Sequence, residues 1–140
     1  MGLERRLIPA RFLITLGHLI PTVMVMYVME EQVYAGLSAD ATDKEIAAAT
    51  AELEGAVLLA IICFLVDLLG LVAGFTIFST RVNVFQIIAH FVGGIQVSTF
   101  IHEVWDYRVL WYIVVFCNVT TALVEIFVIL RIFVVRALLY

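Results

Sequence analysis

Four long apolar runs divide the chain, and every Asp, Glu, Lys and Arg except Arg11, Asp67 and Glu125 falls between or beyond them. The runs cover about residues 10–29, 55–78, 82–101 and 109–130. Each matches the roughly 20 residues a helix needs to cross the hydrocarbon core of a bilayer. The expected fold is an all-α integral membrane protein, a single domain over residues 1–140 built as a four-transmembrane-helix bundle.

The stretch 30–54 holds seven carboxylates (Glu30, Glu31, Asp40, Asp43, Glu45, Glu52 and Glu54) against one cation, Lys44. It reads as a polar outer loop. Thr42 followed three residues later by Glu45 fits a helix capping box, and the alanines after it favour helix, so the second helix is expected to begin near Asp43, outside the bilayer. Pro21 lies inside the first span; it removes a backbone donor, predicts a kink and frees the carbonyl of Gly17.

Composition agrees with this pattern. Hydrophobic residues make up 64% of the 140 and charged residues 14%, against the roughly 45 to 50% apolar content of a soluble domain. After four spans no room remains for a separate catalytic domain. The net charge of -4 comes mainly from the one acidic stretch, and no basic arm suited to nucleic acid is present. Cations sort by side: Arg5, Arg6, Arg11, Arg81, Arg131 and Arg136 flank one set of span ends, and only Lys44 and Arg108 the other. The positive-inside rule therefore predicts cytoplasmic N- and C-termini. Trp105, Tyr107, Trp111 and Tyr112 gather at the opposite interface and are expected to form an outer aromatic belt. Basic residues before the first span resemble a signal peptide, but 18 uncharged residues from Phe12 to Met29 exceed the usual h-region.

Each span also carries a stripe of polar or small residues at helical spacing: Arg11, Thr15, His18 and Thr22; Cys63, Asp67, Gly70 and Gly74; Gln86, His90, Gly93 and Val97; Asn118, Thr121 and Glu125. Residues three and four apart share a helix face, so each stripe is expected to point inward. At about 1.5 Å per residue, Asp67 and His90 lie at one level, with His18 and Glu125 within about 6 Å of it. This intramembrane polar layer predicts that Asp67 and Glu125 are neutral or paired with His18 and His90, because a bare charge there costs about 2.5 to 3.5 kcal/mol. Gly70, Gly74 and Gly93 are candidate helix-packing positions, the first two forming a GxxxG step. Cys63 and Cys117 lie inside apolar runs and read as buried free thiols.

Three roles compete for the layer. It can fix helix pairing, relay protons in a small proton-coupled transporter or channel-like bundle through Asp67, His90 and Glu125, or present His18 and His90 to a haem. The broken helices and inverted repeats usual in transporters are not visible, no second histidine pair accompanies the first, and no cofactor or metal is expected. Neither a nucleophile elbow nor a phosphate loop appears, so an enzyme is not indicated. The sequon at Asn118 falls within a span, out of reach of glycosylation.

Particular strings carry a family resemblance: Leu7-Ile8-Pro9-Ala10-Arg11-Phe12-Leu13 with His18-Leu19, Ala89-His90, and Trp111-Tyr112-Ile113-Val114-Val115-Phe116-Cys117 with Glu125. Together these resemble the transmembrane protein 107 family, and Asp67 with Leu68-Leu69-Gly70 fits the acidic position of its second span. The resemblance implies a non-enzymatic component of the ciliary transition zone, in the Meckel syndrome module with tectonics, B9-domain proteins and other small multispan proteins. It implies a role in the membrane diffusion barrier, in ciliogenesis and in Hedgehog-type signalling. The tail ending in Leu138-Leu139-Tyr140 lacks the lysine cluster of some members.

Overall fold

The computed structural model describes residues 4–77 and 79–139, with side chains over 6–77 and 79–135. Phe78, the expected inner end of the second span, and Tyr140 lie outside the described residues, as do the side chains of Arg5 and Arg136. Among the described residues, four helical segments are long and apolar enough to cross a bilayer.

Helix α1 (Glu4–Ala35) runs 32 residues without a break through Pro9 and Pro21. That is about 48 Å, well beyond a roughly 30 Å hydrocarbon core. Its last turns, with Glu30 and Glu31, therefore stand outside the membrane. Helix α2 (Asp43–Val72) starts at Thr42, whose hydroxyl and backbone N–H complete a capping box with Glu45. The stretch 30–54 is thus mostly helical, and only residues 36–42 turn the chain. A run of carboxylates marks exposure to water, not the absence of helix.

Helix α2 ends sooner than hydropathy suggests. Ala73 caps it, and Gly74 takes φ 79°, the left-handed conformation that glycine adopts without steric cost. Helix α3 (Thr80–His102) closes with the same device but with a β-branched residue in place of glycine: Val104 has φ 49°. Its N–H reaches Ile101 O, and Trp105 N–H reaches Phe100 O, the paired bonds of a Schellman motif.

The fourth span is α4 (Val109–Ile113), a π-helical segment (Val114–Val119) and α5 (Thr120–Leu139) in one continuous rod. Its inward side chains include Leu110, Ile113, Cys117, Thr121 and Glu125. Successive steps of four residues would walk about 40° per turn around a 3.6-residue helix. The wider π turn absorbs the surplus and keeps this stripe facing the core.

The interior divides along its length. At the end bearing the 36–42 turn it is apolar apart from the buried amide of Gln32, with Val25, Leu53, Val57, Phe100 and Leu110 buried and Phe64 below them. Toward the other end it is polar. Outward faces carry Leu13, Ile20, Leu69, Ile88 and Phe116, all exposed as lipid contact requires.

Helix α1 packs chiefly on α3 and then on α2. A Cβ on Gly94 would stand 3.4 Å from His18 Cα and 3.6 Å from the Gly17 carbonyl oxygen, so the missing side chain lets the two backbones close. The C-terminal end of helix α1 is tied to the 103–108 connection. Tyr107 N–H donates to Gln32 O and Arg108 Nη1 to Gly36 O, while the Tyr107 ring lies against Gly36.

Candidate functional site

The polar stripes meet in one buried cluster toward the end of the bundle away from the 36–42 turn. Arg11, the largest fully buried side chain there, is 1% exposed, and Glu125 is 0% exposed. Arg11 Nη2 donates to Glu125 Oε2 at 2.9 Å, and its Nη1 donates to Thr76 Oγ1 at 2.9 Å and Asn83 Oδ1 at 3.0 Å. Thr76 Oγ1 in turn donates to Glu125 Oε1 at 2.7 Å. The guanidinium and carboxylate are thus paired with each other and held by neutral groups from the 73–77 turn and from α3. A buried ion pair needs such secondary bonds to offset its desolvation.

Asp67 anchors the second half. Thr121 Oγ1 donates to its Oδ2 at 2.8 Å, and Gln86 Nε2 lies 3.3 Å from its Oδ1. The same Gln86 nitrogen lies 3.3 Å from Glu125 Oε2 and 3.2 Å from Thr121 O, bridging the two carboxylates. His90 Nε2 stands 3.2 Å from Asp67 Oδ2, at ion-pair distance but off the line of a hydrogen bond.

On its other side His90 Nδ1 meets His18 Nδ1 at 3.2 Å. One of these nitrogens must donate and the other accept, so the two rings carry different protons and cannot both be imidazolium. Phe64 closes over both, edge-on to His18 and stacked on His90. The 3.2 Å separation is that of a hydrogen bond.

All four residues expected in the layer, His18, Asp67, His90 and Glu125, therefore belong to one network. Their pairing differs from expectation: Glu125 is matched by Arg11, not by a histidine, because Arg11 reaches inward from the first turns of α1 instead of flanking the span. Thr76 and Asn83 join without having been anticipated.

The glycines also sort. A Cβ on Gly70 would collide with the Glu125 side chain, and one on Gly93 with the His18 ring. Both glycines make room for the cluster. Gly74 is not a packing position; it lies past the end of α2, and its role is its backbone turn.

The outer aromatic group needs a similar correction. Tyr112 is exposed and Trp105 marginally so, but Tyr107 is only 4% exposed and belongs to the core, and Trp111 is half-buried against it. Gly36 opens the space that Tyr107 fills. At the surface beside it, Arg108 pairs with Asp106 at 3.2 Å; that carboxylate, then the neighbouring Tyr107, holds the guanidinium above its usual range. Cys63 and Cys117 are free thiols.

Comparison with known proteins agrees with this architecture. The family model TMEM107, described as a transmembrane protein, matches residues 7–129. Transmembrane protein 107 of Rattus norvegicus is 31% identical over 125 residues, covering 89% of each chain. The Xenopus laevis protein of that name is 27% identical over 91% of each chain. That of Danio rerio is 25% identical over 93% of this chain and 96% of its own. No solved structure matches significantly. The span of the family match, with the four membrane helices that carry it, means that this chain belongs to the transmembrane protein 107 family.

Proposed function

We propose that the chain is a non-enzymatic structural component of the ciliary transition-zone membrane. In this reading it helps assemble the diffusion barrier that controls ciliary membrane composition, and so supports ciliogenesis and cilium-dependent signalling. Membership of the transmembrane protein 107 family carries the proposal. The buried cluster is compatible with it: Arg11, Asp67, Asn83, Gln86, Thr121 and Glu125 bond one another across all four spans. Such a network fixes register, since a slipped helix would leave charges bare in lipid.

Both termini face the cytoplasm in this proposal, by the distribution of arginines. Partners are tectonics, B9-domain proteins and other small multispan proteins. On the outer side the exposed end of α1, the 36–42 turn and the rim formed by Trp105 and Tyr112 offer the surface for extracellular domains.

A tagged copy expressed in ciliated cells, with axoneme and basal-body markers, tests the assignment. A ring at the cilium base is expected. A signal spread through the secretory or plasma membrane, absent from that ring, would overturn it.

A further inference from the structure

Between Phe75, the start of α3 and the far half of α5 lies a groove of about 820 Å³. Its lining is mostly apolar, with Phe75, Val124, Phe127 and Val128, and includes Ser79 and the exposed Arg81 and Arg131. Neither arginine makes an ion pair among the described residues. Residues 73–82 contain no carboxylate, and the one in 124–135, Glu125, faces inward to Arg11.

Ser79 is the N-cap of α3 but makes no side-chain capping bond. Among the described residues, the first backbone N–H groups of that 23-residue helix have no side-chain partner. A helix start of this kind favours an anion through its free donors and its dipole. Two unpaired guanidinium groups in the same lining add positive charge.

A groove whose lining is mostly hydrocarbon-like and includes two exposed cations matches one chemistry, an acyl chain ending in an anionic headgroup. Basic pockets between membrane helices take acidic lipids on these terms. The arginines mark this end of the bundle as the one facing the leaflet that attracts them. We propose that the groove is a binding site for an anionic phospholipid, with one acyl chain against Phe75, Val124 and Phe127 and the headgroup phosphate on Arg81, Arg131 and the α3 N-terminus. The site is independent of the protein's cellular address and of the buried cluster.

The test uses the full chain in detergent, titrated with phosphatidylserine or with phosphatidylcholine of the same acyl chains, and counts bound lipids by native mass spectrometry. Phosphatidylserine is expected to bind preferentially. Arg81→Gln and Arg131→Gln each weaken that preference about fivefold, and together about 25-fold. Arg6→Gln, an exposed arginine at the same end but outside the groove, leaves it intact. Val128→Trp, which fills the groove and keeps both arginines, abolishes it.

Melting temperatures matching the parent identify the variants that report on the site. Should the double variant unfold, Arg81→Lys with Arg131→Lys serves instead, and it retains phosphatidylserine binding. Equal affinity for the two lipids, an equal loss in Arg6→Gln, or displacement of phosphatidylserine by millimolar inorganic phosphate would each overturn the proposal. The last result would identify a simple phosphate site that ignores the acyl chain.

Discussion

Arg11 and Glu125, 114 positions apart in the chain, meet at 2.9 Å inside the bundle, with neither side chain more than 1% exposed. Removing one partner strands the other charge in a low-dielectric interior. Replacing both removes the charge altogether. Arg11→Met and Glu125→Met are each expected to lower stability by about 3 to 5 kcal/mol. The double variant should recover most of that loss. Thermal melts of the four proteins in one detergent give the cycle, and additive losses in the double variant would rule out a direct pair.

The glycine sites separate by what surrounds them. Gly70→Ala and Gly93→Ala drive a methyl into Glu125 and His18, and each should cost about 1 to 3 kcal/mol. Gly17→Ala has nothing within 4 Å of the added carbon and should be neutral or slightly stabilising, since alanine favours helix over glycine. Melting temperatures in matched detergent decide it, and a Gly17→Ala loss as large as the others would refute the assignment.

Val104 occupies the left-handed position that ends α3, at φ 49°, where a β-branched residue is strained. Val104→Gly is expected to stabilise the protein by about 1 kcal/mol. A drop in melting temperature would show that its side-chain contacts outweigh the backbone strain.

At the start of α2 the Thr42 backbone N–H, and then its hydroxyl, hold the Glu45 carboxyl below its usual range. The cap is therefore complete above the ordinary value of 4.5 and is lost as pH falls through the lower native value. Amide exchange at Thr42, whose N–H the carboxylate accepts, should quicken as pH falls below the ordinary carboxylate range and be pH-insensitive in Glu45→Gln once intrinsic exchange is corrected for. Identical corrected profiles would count against the cap. Thr42→Ala should cost about 1 kcal/mol.

Much of this was legible because polar residues stand out in an apolar chain. The stripes containing His18, Asp67, His90 and Glu125 mark one face of each span, and they fix the level at which the network forms. Partner choice was less legible. Counting Arg11 among the flanking cations draws attention from its place in the series 11, 15, 18, 22, which already puts it on the inner face. Thr76 is hidden because the apolar run continues past the point where Gly74 ends α2, so hydropathy cannot see the turn. Tyr107 reads as an interface aromatic by type; its burial depends on Gly36, which is contributed by a distant part of the chain. The π segment left a faint signal in the spacing of inward residues 113, 117, 121 and 125.

In the function proposed above, the charged residues inside the membrane serve to hold the bundle in register for assembly at the cilium base. The most direct test is rescue in ciliated cells lacking the endogenous protein, comparing parent, Arg11→Met and the Arg11→Met/Glu125→Met double variant, with folding checked by melting. The double variant is predicted to fold, form the ring at the cilium base and restore ciliation while the single variant fails. A double variant that is as stable as the parent and correctly located, yet restores nothing, would show that the Arg11–Glu125 pair does more than hold the helices in register.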